Sequence, residues 1–469
     1  MLYSQVIIIG GGPGGYEAAI RLSQYEIPCL VIEKERLGGT CLNWGCIPTK
    51  ALVKSAELYS EMLSADNFGL PKQNQEIEYQ NVWSRKNAVV EQLASGIEFL
   101  FKKRNIPVVK ATAISVAKQK ENYIVTTLEG ESYSCEYLIL ATGSKVKGLP
   151  GIEIDEKDIL SSTGILKMQE LPEELVVIGG GVIGCEFASV FSTFGVKVTI
   201  IEFLPRLIYQ EEEEISKRLA MQFKKSGVKV LTNKGVQNIN KKGSRLELKL
   251  SDDTILETEK VLLSVGRKPV NNLEWKQIEE LKTEKGAVIV DDFMQTSLDK
   301  IYAIGDLTGK LQLAHTASKQ GLFAVEHIAS RIYPEKYKVP AKPINYINIP
   351  RCTFTHPEIA SVGYTQKEAE EIFKEVLTGK FPFSANGKAV AMGNPNGFVK
   401  IIARKDTSEI IGMHIMGPNA TELIAQGAIM IANQNKTADV ESIIFAHPTL
   451  SEAIMEAIED LQNLSIHKI

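Results

Sequence analysis

The sequence predicts an α/β fold that contains two similar strand–turn–helix–strand units and a C-terminal segment of mixed strands and helices. Two glycine-rich turns, at Gly10–Gly15 and Gly179–Gly184, each follow a β-branched run and precede a helical pattern. Strands that alternate with helices in this way are typical of parallel sheets. The 469 residues fit about three domains at roughly 150 residues each, which excludes a small disulfide scaffold or a lone binding module.

The first unit starts at a predicted strand, Val6–Ile9, and runs directly into a glycine turn. Gly10, Gly12 and Gly15 fit the pattern G-x-G-x-x-G. A helical pattern from Tyr16 to Tyr25 and a second apolar run follow, and that run ends in Glu33, 21 residues after Gly12. This order of strand, turn, helix, strand and acid is the fingerprint of a dinucleotide-binding unit.

The second unit repeats the first with the same spacing. The predicted strand Leu175–Ile178 leads into Gly179, Gly181 and Gly184, and Glu202 again lies 21 residues after the middle glycine. One such turn is a weak signal. Two unrelated glycine turns, the alternative, would not account for a repeat that includes strand, helix and acid. The sequence therefore predicts two bound dinucleotides.

The acids at the strand ends predict which dinucleotide binds. Glu33 and Glu202 are expected to bond ribose hydroxyls, while the glycines let the backbone and a helix N-terminus approach the pyrophosphate. At the second site a 2′-phosphate would meet the carboxylate of Glu202, which favours NAD over NADP. The nearby cation Arg206 is separated from the strand end by Pro205.

Cys41 and Cys46 form a C-x4-C pair before a helical pattern. In an ideal helix, residues five apart have Cα atoms about 8.6 Å apart, whereas a disulfide needs about 4.4–6.8 Å. A bond between them requires a distorted segment, which Gly45 and Pro48 permit. Lys50, one turn after Cys46, would favour its thiolate. We interpret the pair as a redox couple; free thiols and a metal site are the alternatives, and zinc would need further ligands.

A second candidate for chemistry is His447, which precedes Glu452 at the start of a C-terminal helical pattern. A carboxylate can orient an imidazole and stabilise its cation, and thiol chemistry near neutral pH needs such a base. A structural histidine is the alternative. His315 follows a glycine-containing loop, where it could line a cofactor, whereas His327, His356, His414 and His467 are interpreted as structural or exposed. The acidic run Glu211–Glu214 is interpreted as a solvated helix N-terminus.

Composition and charge exclude several functional classes. Apolar residues make up 44% and charged residues 23%, as in soluble globular proteins rather than disordered ones. The 53 basic and 57 acidic residues give a net charge of −4, without the basic stripe of a nucleic-acid binder. No apolar run is long enough to span a membrane, and no secretory signal precedes the first strand, so we expect a cytoplasmic location.

Six motifs resemble those of the flavin-dependent pyridine nucleotide–disulfide oxidoreductases. They are GGTCLNWGCIPTK at 38–50, LILATGS at 138–144, GGGVIGCE at 179–186, SVGRKP at 264–269, YAIGD at 302–306 and AHPTLSE at 446–452. The resemblance implies Rossmann-like domains for FAD and NAD and a C-terminal α+β dimerisation domain. It implies a Cys41–Cys46 disulfide, with Cys46 facing the flavin and Cys41 exchanging with substrate, and His447 held by Glu452 as acid–base.

The resemblance also implies a set of cofactor contacts. On the flavin side they are Gly10, Gly12, Gly15, Glu33, Thr40, Lys50, Thr142, Gly143, Asp306 and Ala314. On the nicotinamide side they are Gly179, Gly181, Gly184, Glu202 and Gly266, with Glu186 paired to Lys50. No metal is implied. The predicted segments are 1–148 for FAD, 149–271 for NAD, 272–345 to complete the flavin site, and 346–469 for the dimer interface.

The family members to which these motifs are most similar oxidise dihydrolipoyl groups. That similarity implies a homodimer in which each His447 reaches the other subunit's cysteines, with lipoyl domains and the core of 2-oxoacid dehydrogenase complexes as partners. Two alternatives stay open. One is a sister NAD(P)H-dependent reductase that acts on another disulfide, such as glutathione. The other is a flavoprotein that serves mainly as a binding subunit.

Overall fold

The computed structural model describes residues 1–71, 76–276 and 278–468. The chain forms two compact units, each assembled from separate stretches of sequence. The first unit contains residues 1–51, 81–147 and 266–344, and the second contains residues 52–80, 148–265 and 345–469. Both units therefore depend on segments that lie far apart in the chain.

Strands, α-helices and short 3-10 helices occur along the whole length of the described chain. The strands are β1 (Leu2–Ile9), β2 (Cys29–Glu33), β3 (Val108–Lys110), β4 (Ala113–Gln119), β5 (Asn122–Thr127), β6 (Ser132–Leu140), β7 (Ser144–Val146), β8 (Ile159–Leu160), β9 (Glu174–Ile178), β10 (Lys197–Ile201), β11 (Lys229–Leu231), β12 (Val236–Lys242), β13 (Arg245–Leu250), β14 (Ile255–Thr258), β15 (Lys260–Leu263), β16 (Arg267–Pro269), β17 (Glu274–Lys276), β18 (Thr283–Glu284), β19 (Ala287–Val288), β20 (Ile301–Ala303), β21 (Arg351–Thr353), β22 (Glu358–Gly363), β23 (Val376–Pro382), β24 (Phe398–Arg404) and β25 (Ile410–Gly417). The α-helices are α1 (Pro13–Gln24), α2 (Gly39–Trp44), α3 (Cys46–Leu63), α4 (Tyr79–Lys103), α5 (Val182–Thr193), α6 (Glu213–Lys225), α7 (Ala314–Ile332), α8 (Gln366–Phe373), α9 (Gly387–Ala391), α10 (Ala420–Ala432), α11 (Thr437–Glu441) and α12 (Glu452–Glu459). Short 3-10 helices cover Ala65–Phe68, Ile165–Lys167, Gly305–Thr308, Tyr346–Asn348, Phe383–Ala385 and Asp460–Gln462.

The first unit is built on a parallel sheet in the order β3-β2-β1-β6-β20. The sheet extends from β6 through the antiparallel strands β5 and β4 to β17. Residues Val6–Ile9 of β1 are buried and contribute alternately to two apolar clusters, one on each face. Burial on both faces is what a parallel sheet between helices requires, and it explains the unbroken apolar run in the sequence.

The second unit contains two different sheets. The strands of 148–265 form a parallel sheet in the order β11-β10-β9-β15-β8, beside the antiparallel meander β12-β13-β14. The C-terminal segment forms an antiparallel sheet in the order β21-β22-β25-β24-β23, with α10 and α12 packed on it. The fold is the predicted one: two parallel-sheet α/β modules and an α+β module.

Helix starts differ from the periodicity-based expectation by a few residues. The sequence pattern places the first helix at Tyr16, whereas α1 begins at Pro13. Proline is favoured at the first position of a helix because its missing N–H has no partner there anyway. The helix therefore starts inside the glycine turn, and its N-terminus is part of that turn.

The expectation of a solvated acidic run is wrong for its first two residues. Glu211 and Glu212 are buried, and α6 begins only at Glu213. Arg351 lies 3.2 Å from Glu211, and Lys400 lies 2.8 Å from Glu212, measured between nitrogen and carboxylate oxygen. Both partners come from the C-terminal sheet, far away in sequence, so local charge patterning could not reveal them.

We predict that Lys400→Met lowers the stability of the protein by about 3–5 kcal/mol, because it leaves the buried Glu212 carboxylate without its cation. Lys405→Met is the matched control. Lys405 pairs at 3.0 Å with Glu375, but both side chains are more than half exposed, so its loss should cost less than about 1 kcal/mol. Chemical denaturation of the two variants measures the difference. Equal losses would contradict a structural role for the buried pair.

Candidate active site

The two cysteines at 41 and 46 form a disulfide, with Cα atoms 4.6 Å apart. This short separation is possible because the helix is interrupted between them. α2 ends at Trp44 and α3 starts at Cys46, and Gly45 between them has φ −147° and ψ −105°. The predicted distortion at Gly45 is confirmed. Both cysteines are half-buried, so the bond lies at an accessible helix start.

The disulfide segment is anchored to the first glycine turn by backbone contacts. The N–H of Gly38 donates to the carbonyl of Gly11 at 2.8 Å. A Cβ on Gly39 would lie 2.7 Å from the Cα of Gly12, so the backbones of these two segments are in direct contact, with no side chain between them. The amide of Asn43 donates to the carbonyls of Leu37 and Gly39 and closes the segment on itself. The position of the cysteines is therefore set by the dinucleotide loop.

The other four cysteines lie outside this segment. Cys29, Cys135 and Cys185 are buried, and burial raises the pKa of the Cys29 and Cys135 thiols to about 12. Burial, followed by the carboxylates of Glu202 and Glu186, raises the pKa of Cys185 as well. Cys352 is half-buried in β21. Since the thiolate is the reactive form, the three buried thiols are poor nucleophiles.

The first glycine turn has the shape that a pyrophosphate needs. Gly12 caps the N-terminus of α1 without a side-chain hydrogen bond, and a Cβ there would meet nothing within 4 Å. By contrast, a Cβ on Gly15 would lie 2.0 Å from the carbonyl oxygen of Gly10. One glycine thus leaves open space in front of the helix, and another lets the helix approach the strand. No acidic residue occupies the first turn of α1, which suits an anion.

The second turn repeats this geometry at Gly181 and Gly184. Gly181 caps α5 and faces open space, while a Cβ on Gly184 would lie 2.0 Å from the carbonyl oxygen of Gly179. The described residues therefore fit two dinucleotides, one at each turn. The structural repeat agrees with the sequence repeat.

The two acids also stabilise the turns, a role that the sequence did not indicate. Glu33 accepts hydrogen bonds from the N–H of Gly11 at 2.6 Å and of Glu35 at 2.8 Å. Glu202 accepts from the N–H groups of Gly180 and Leu204 in the same way. Each acid is buried, so its carboxylate is fixed at the end of its strand. That is where a ribose would lie.

The nearby cation is engaged elsewhere. The guanidinium of Arg206 donates to the carbonyl of Glu211 at 2.7 Å and to the hydroxyl of Ser216 at 2.8 Å, and it lies over the ring of Tyr209. These contacts hold the guanidinium within its own loop. This supports the preference for NAD that the carboxylate of Glu202 indicates.

Two predicted flavin contacts, Asp306 and Thr142, are each fixed by a hydrogen bond in the first unit. Asp306 accepts a hydrogen bond from Ser144, and the Thr142 hydroxyl donates to the carbonyl of Val270 at 2.6 Å. The sequence reasoning did not single out Arg267, which donates to the hydroxyl and carbonyl of Ser144 at 2.7 Å and lies 3.9 Å from Asp306. Burial lowers the pKa of Arg267, and Asp306 partly opposes that shift. Arg267 lies within the motif SVGRKP at 264–269, so the motif could have drawn attention to it.

The structure also gives the positions of the other residues that were predicted to contact the cofactors. Thr40 is exposed on α2, Lys50 is half-buried in α3, and Ala314 is the first residue of α7. The glycines Gly143 and Gly266 have φ of 70° and 108°, and a Cβ at either would meet nothing within 4 Å. The buried carboxylate of Glu186 accepts from the N–H of Phe354 at 2.9 Å. The pairing of Lys50 with Glu186 stays a prediction.

His447 and Glu452 are joined by a hydrogen bond in the second unit. Nδ1 of His447 lies 2.9 Å from a Glu452 oxygen, and the N–H of Thr449 donates to the other oxygen at 2.7 Å. Burial alone would raise the pKa of Glu452, but the Thr449 and His447 hydrogen bonds outweigh it and lower the pKa. The His447–Pro448 peptide is cis. With a side chain 79% exposed, His447 presents its other ring nitrogen for proton transfer.

A flavin- and nucleotide-binding disulfide enzyme is the class that this fold and site define. The sequence of residues 4–321 matches the family model of the pyridine nucleotide-disulphide oxidoreductases. The sequence of residues 349–458 matches the family model of their dimerisation domain. The chain belongs to this family, and it is an enzyme that uses FAD and NAD with Cys41–Cys46 as its redox disulfide.

Individual relatives match over nearly the full length of the chain. The dihydrolipoyl dehydrogenase of Bacillus subtilis is 40% identical, over 98% of this chain and 98% of its own. The mitochondrial dihydrolipoyl dehydrogenase of Pisum sativum is also 40% identical, over 99% and 92%. The solved structure of LpdA from Mycobacterium tuberculosis has a TM-score of 0.88 at 25% identity, covering 98% of this chain and 99% of its own.

Two other kinds of feature are absent from the described residues. Within residues 1–71, 76–276 and 278–468, no helix has the length and apolar character needed to cross a membrane. In the same ranges, no group of three or more histidine, cysteine or acidic side chains is arranged to hold a metal ion.

We predict that Glu202→Gln weakens the discrimination between NAD and NADP by about tenfold or more, about 1.4 kcal/mol. The substitution removes the charge that repels a 2′-phosphate and keeps an acceptor for the Gly180 N–H. The measurement is the ratio of kcat/KM for the two nucleotides. Glu33→Gln, the same change in the first turn, is the control and should leave the ratio of the flavin-loaded enzyme unchanged. A ratio that shifts equally in both variants would rule out Glu202 as the selecting group.

Proposed function

We propose that the chain is a dihydrolipoyl dehydrogenase, which oxidises a dihydrolipoyl group to lipoyl and reduces NAD to NADH. The observation that carries the proposal is the accessible Cys41–Cys46 disulfide at the start of α3. A disulfide that closes so small a loop contributes little to stability but can exchange with a dithiol. The relatives named dihydrolipoyl dehydrogenase, at about 40% identity, support this substrate.

In the proposed reaction, the protein's own residues handle the protons and the sulfurs. His447, held by Glu452, takes a proton from one substrate thiol, and that sulfur attacks Cys41. A mixed disulfide forms, the Cys41–Cys46 bond breaks, and Cys46 leaves as a thiolate. The second substrate thiol then attacks the substrate sulfur that is bound to Cys41, which closes the cyclic disulfide. Cys41 leaves as a thiol with the first proton from His447, and the proton of the second substrate thiol passes to His447 in its place. The electron pair is left on the two cysteines.

The cofactors supply the rest of the chemistry. When bound, FAD would supply the two-electron redox chemistry that connects the reduced cysteines to NAD. We assign the first glycine turn and Glu33 to FAD, with Thr142, Gly143 and Asp306 as further contacts. We assign the second turn and Glu202 to NAD. Lys50, near Cys46 on α3, would favour its thiolate.

We further propose a homodimer in which the cysteines of one subunit work with His447 of the partner subunit. The dimerisation domain at residues 349–458 supports the dimer, and the named relatives support lipoyl domains and the core of a 2-oxoacid dehydrogenase complex as partners. The segments 1–148, 149–271, 272–345 and 346–469 are the proposed domains. A cytoplasmic location stays a prediction that cell fractionation would check.

The first test is a spectrophotometric assay of the purified protein. We expect fast NADH formation from dihydrolipoamide and NAD, much slower turnover with NADP, and little NADH oxidation with oxidised glutathione. Activity only with glutathione would move the protein to a sister reductase. No turnover with any of these, by a flavin-loaded protein, would favour a binding subunit.

We predict that His447→Gln lowers dihydrolipoamide turnover by about 10²–10⁴-fold, because the general base is lost. Reduction of an artificial acceptor such as ferricyanide by NADH should stay unchanged, since it requires the flavin but no substrate thiol. Both rates are measured on the same preparation. If both fell together, His447 would have a structural role.

We predict that Cys46→Ser abolishes dihydrolipoamide turnover, since a serine hydroxyl cannot form the disulfide. Flavin content and ferricyanide reduction should be retained, and absorbance spectroscopy measures both. Residual dihydrolipoamide turnover near the parental rate would contradict the proposed path through the cysteines.

A further inference from the structure

The C-terminal tail turns back onto the helix that carries Glu452. After α12 and the 3-10 turn Asp460–Gln462, Asn463 adopts φ 58°, a left-handed conformation that reverses the chain. The N–H of Leu464 then donates to the carbonyl of Glu459 at 3.0 Å. The following residues lie against α12 instead of leaving it.

One carboxylate of α12 holds this tail. Glu456 accepts from the Ser465 hydroxyl at 2.6 Å, from the Ile466 N–H at 2.9 Å, and from Nδ1 of His467. Its side chain is only 4% exposed, whereas that of His467 is 68% exposed. A buried carboxylate is costly unless it is bonded in this way. The hydrogen bonds from the tail therefore offset the free-energy cost of burying the Glu456 carboxylate.

The helix thus carries two glutamate–histidine pairs. Glu452 bonds His447, and Glu456, four residues later, bonds His467. Residues four apart lie on the same face of a helix, so the two carboxylates are neighbours. The pair that contains His447 belongs to the proposed acid–base site, whereas the pair beside it has no part in the proposed reaction.

We propose that His467 is a positioning residue for the His447–Glu452 pair. Its ion pair with Glu456 fastens the tail to α12 and keeps the net charge beside Glu452 near zero. The role of His467 in turnover rests on the proposed function, whereas its electrostatic coupling to His447 does not.

The directions of the pKa shifts agree with this geometry. The hydrogen bond to Glu456, then its charge and those of Glu452 and Glu459, raise the pKa of His467. His467 is also among the groups that lower the pKa of Glu452. Because its pKa is raised, His467 keeps its charge to a higher pH than an ordinary imidazole and loses it as the pH rises through the raised value. The coupling should therefore fade at alkaline pH.

Other charged groups around α12 are farther from Glu452 in sequence or are already paired. Glu459 and Glu441 repel each other, and Asp460 pairs with Lys468. The backbone N–H of Lys380 in β23 donates to Asp460, and the Lys380 ammonium pairs with Glu214. Lys468 is the useful comparison. It is a tail cation adjacent to His467, but its partner Asp460 lies eight residues after Glu452, about 12 Å along a helix.

The test is the titration of His447 in the flavin-loaded, full-length protein. The chain has six histidines, so 13C-labelled histidine NMR can follow each ring, and His447→Gln assigns the signal. His467→Gln leaves Glu456 as an uncompensated negative charge, which favours the protonated imidazole. We expect the His447 midpoint to move about half a pH unit upward. Lys468→Gln, which removes a cation from the same tail, should move it by less than half as much.

Two further variants separate charge from tail attachment. His467→Arg keeps a cation beside Glu456, and the double variant Glu456→Gln/His467→Gln makes the pair neutral again. Both should return the midpoint to the parental value. No shift in His467→Gln, an equal shift in Lys468→Gln, or a shift that persists in His467→Arg would overturn the proposal.

The activity measurement distinguishes failure of this inference from failure of the proposed function. The acid limb of the pH profile for dihydrolipoamide oxidation should move with the NMR midpoint in His467→Gln, while ferricyanide reduction keeps its profile. If the parent does not oxidise dihydrolipoamide, the proposed function fails, and the NMR titration still decides whether the two histidines are coupled. If the parent is active but its profile does not move, His467 has no role in the reaction.

Discussion

The site depends on places where backbone meets backbone with no side chain between. α1 approaches its strand so closely that a Cβ on Gly15 would lie 2.0 Å from the Gly10 oxygen, and Gly39 rests on Gly12 in a similar way. These contacts aim a helix N-terminus at the open space in front of Gly12 and bring the cysteine segment to the same turn. A side chain at Gly15 or Gly39 would separate elements that cofactor binding requires to be in contact.

The disulfide uses a second constraint, the interruption of a helix. The two cysteines are five residues apart, which an unbroken helix would hold too far apart to bond. Gly45 ends α2 and lets α3 begin at Cys46, so the same residue closes the loop and presents the sulfurs at a helix start. The buried thiols elsewhere are held in their protonated form by burial. Burial therefore makes these three thiols poor nucleophiles, whereas the sulfurs of the disulfide are half-buried at a helix start.

Sequence patterns predicted what depends on neighbours along the chain. The glycine turns, their acids, the C-x4-C pair and the strands around them follow local rules, and the structure has them with small shifts such as the start of α1 at Pro13. Contacts between distant segments were not predictable in this way. The burial of Glu211 and Glu212 depends on cations from the C-terminal sheet. The His447–Glu452 spacing alone was only suggestive, since it did not establish the hydrogen bond between the two side chains.

The division of the first unit among three stretches of sequence affects how the chain is made. β6 pairs with β20, and the intervening residues 148–265 belong to the other unit. At about 5–20 residues per second, a ribosome needs on the order of ten seconds or more to reach β20 after completing β6. During that interval the Leu138–Leu140 edge of β6 lacks its partner β20, so the nascent chain exposes unpaired backbone N–H and C=O groups there. Inserting one module inside another therefore prolongs the time during which the growing chain can pair wrongly at this edge.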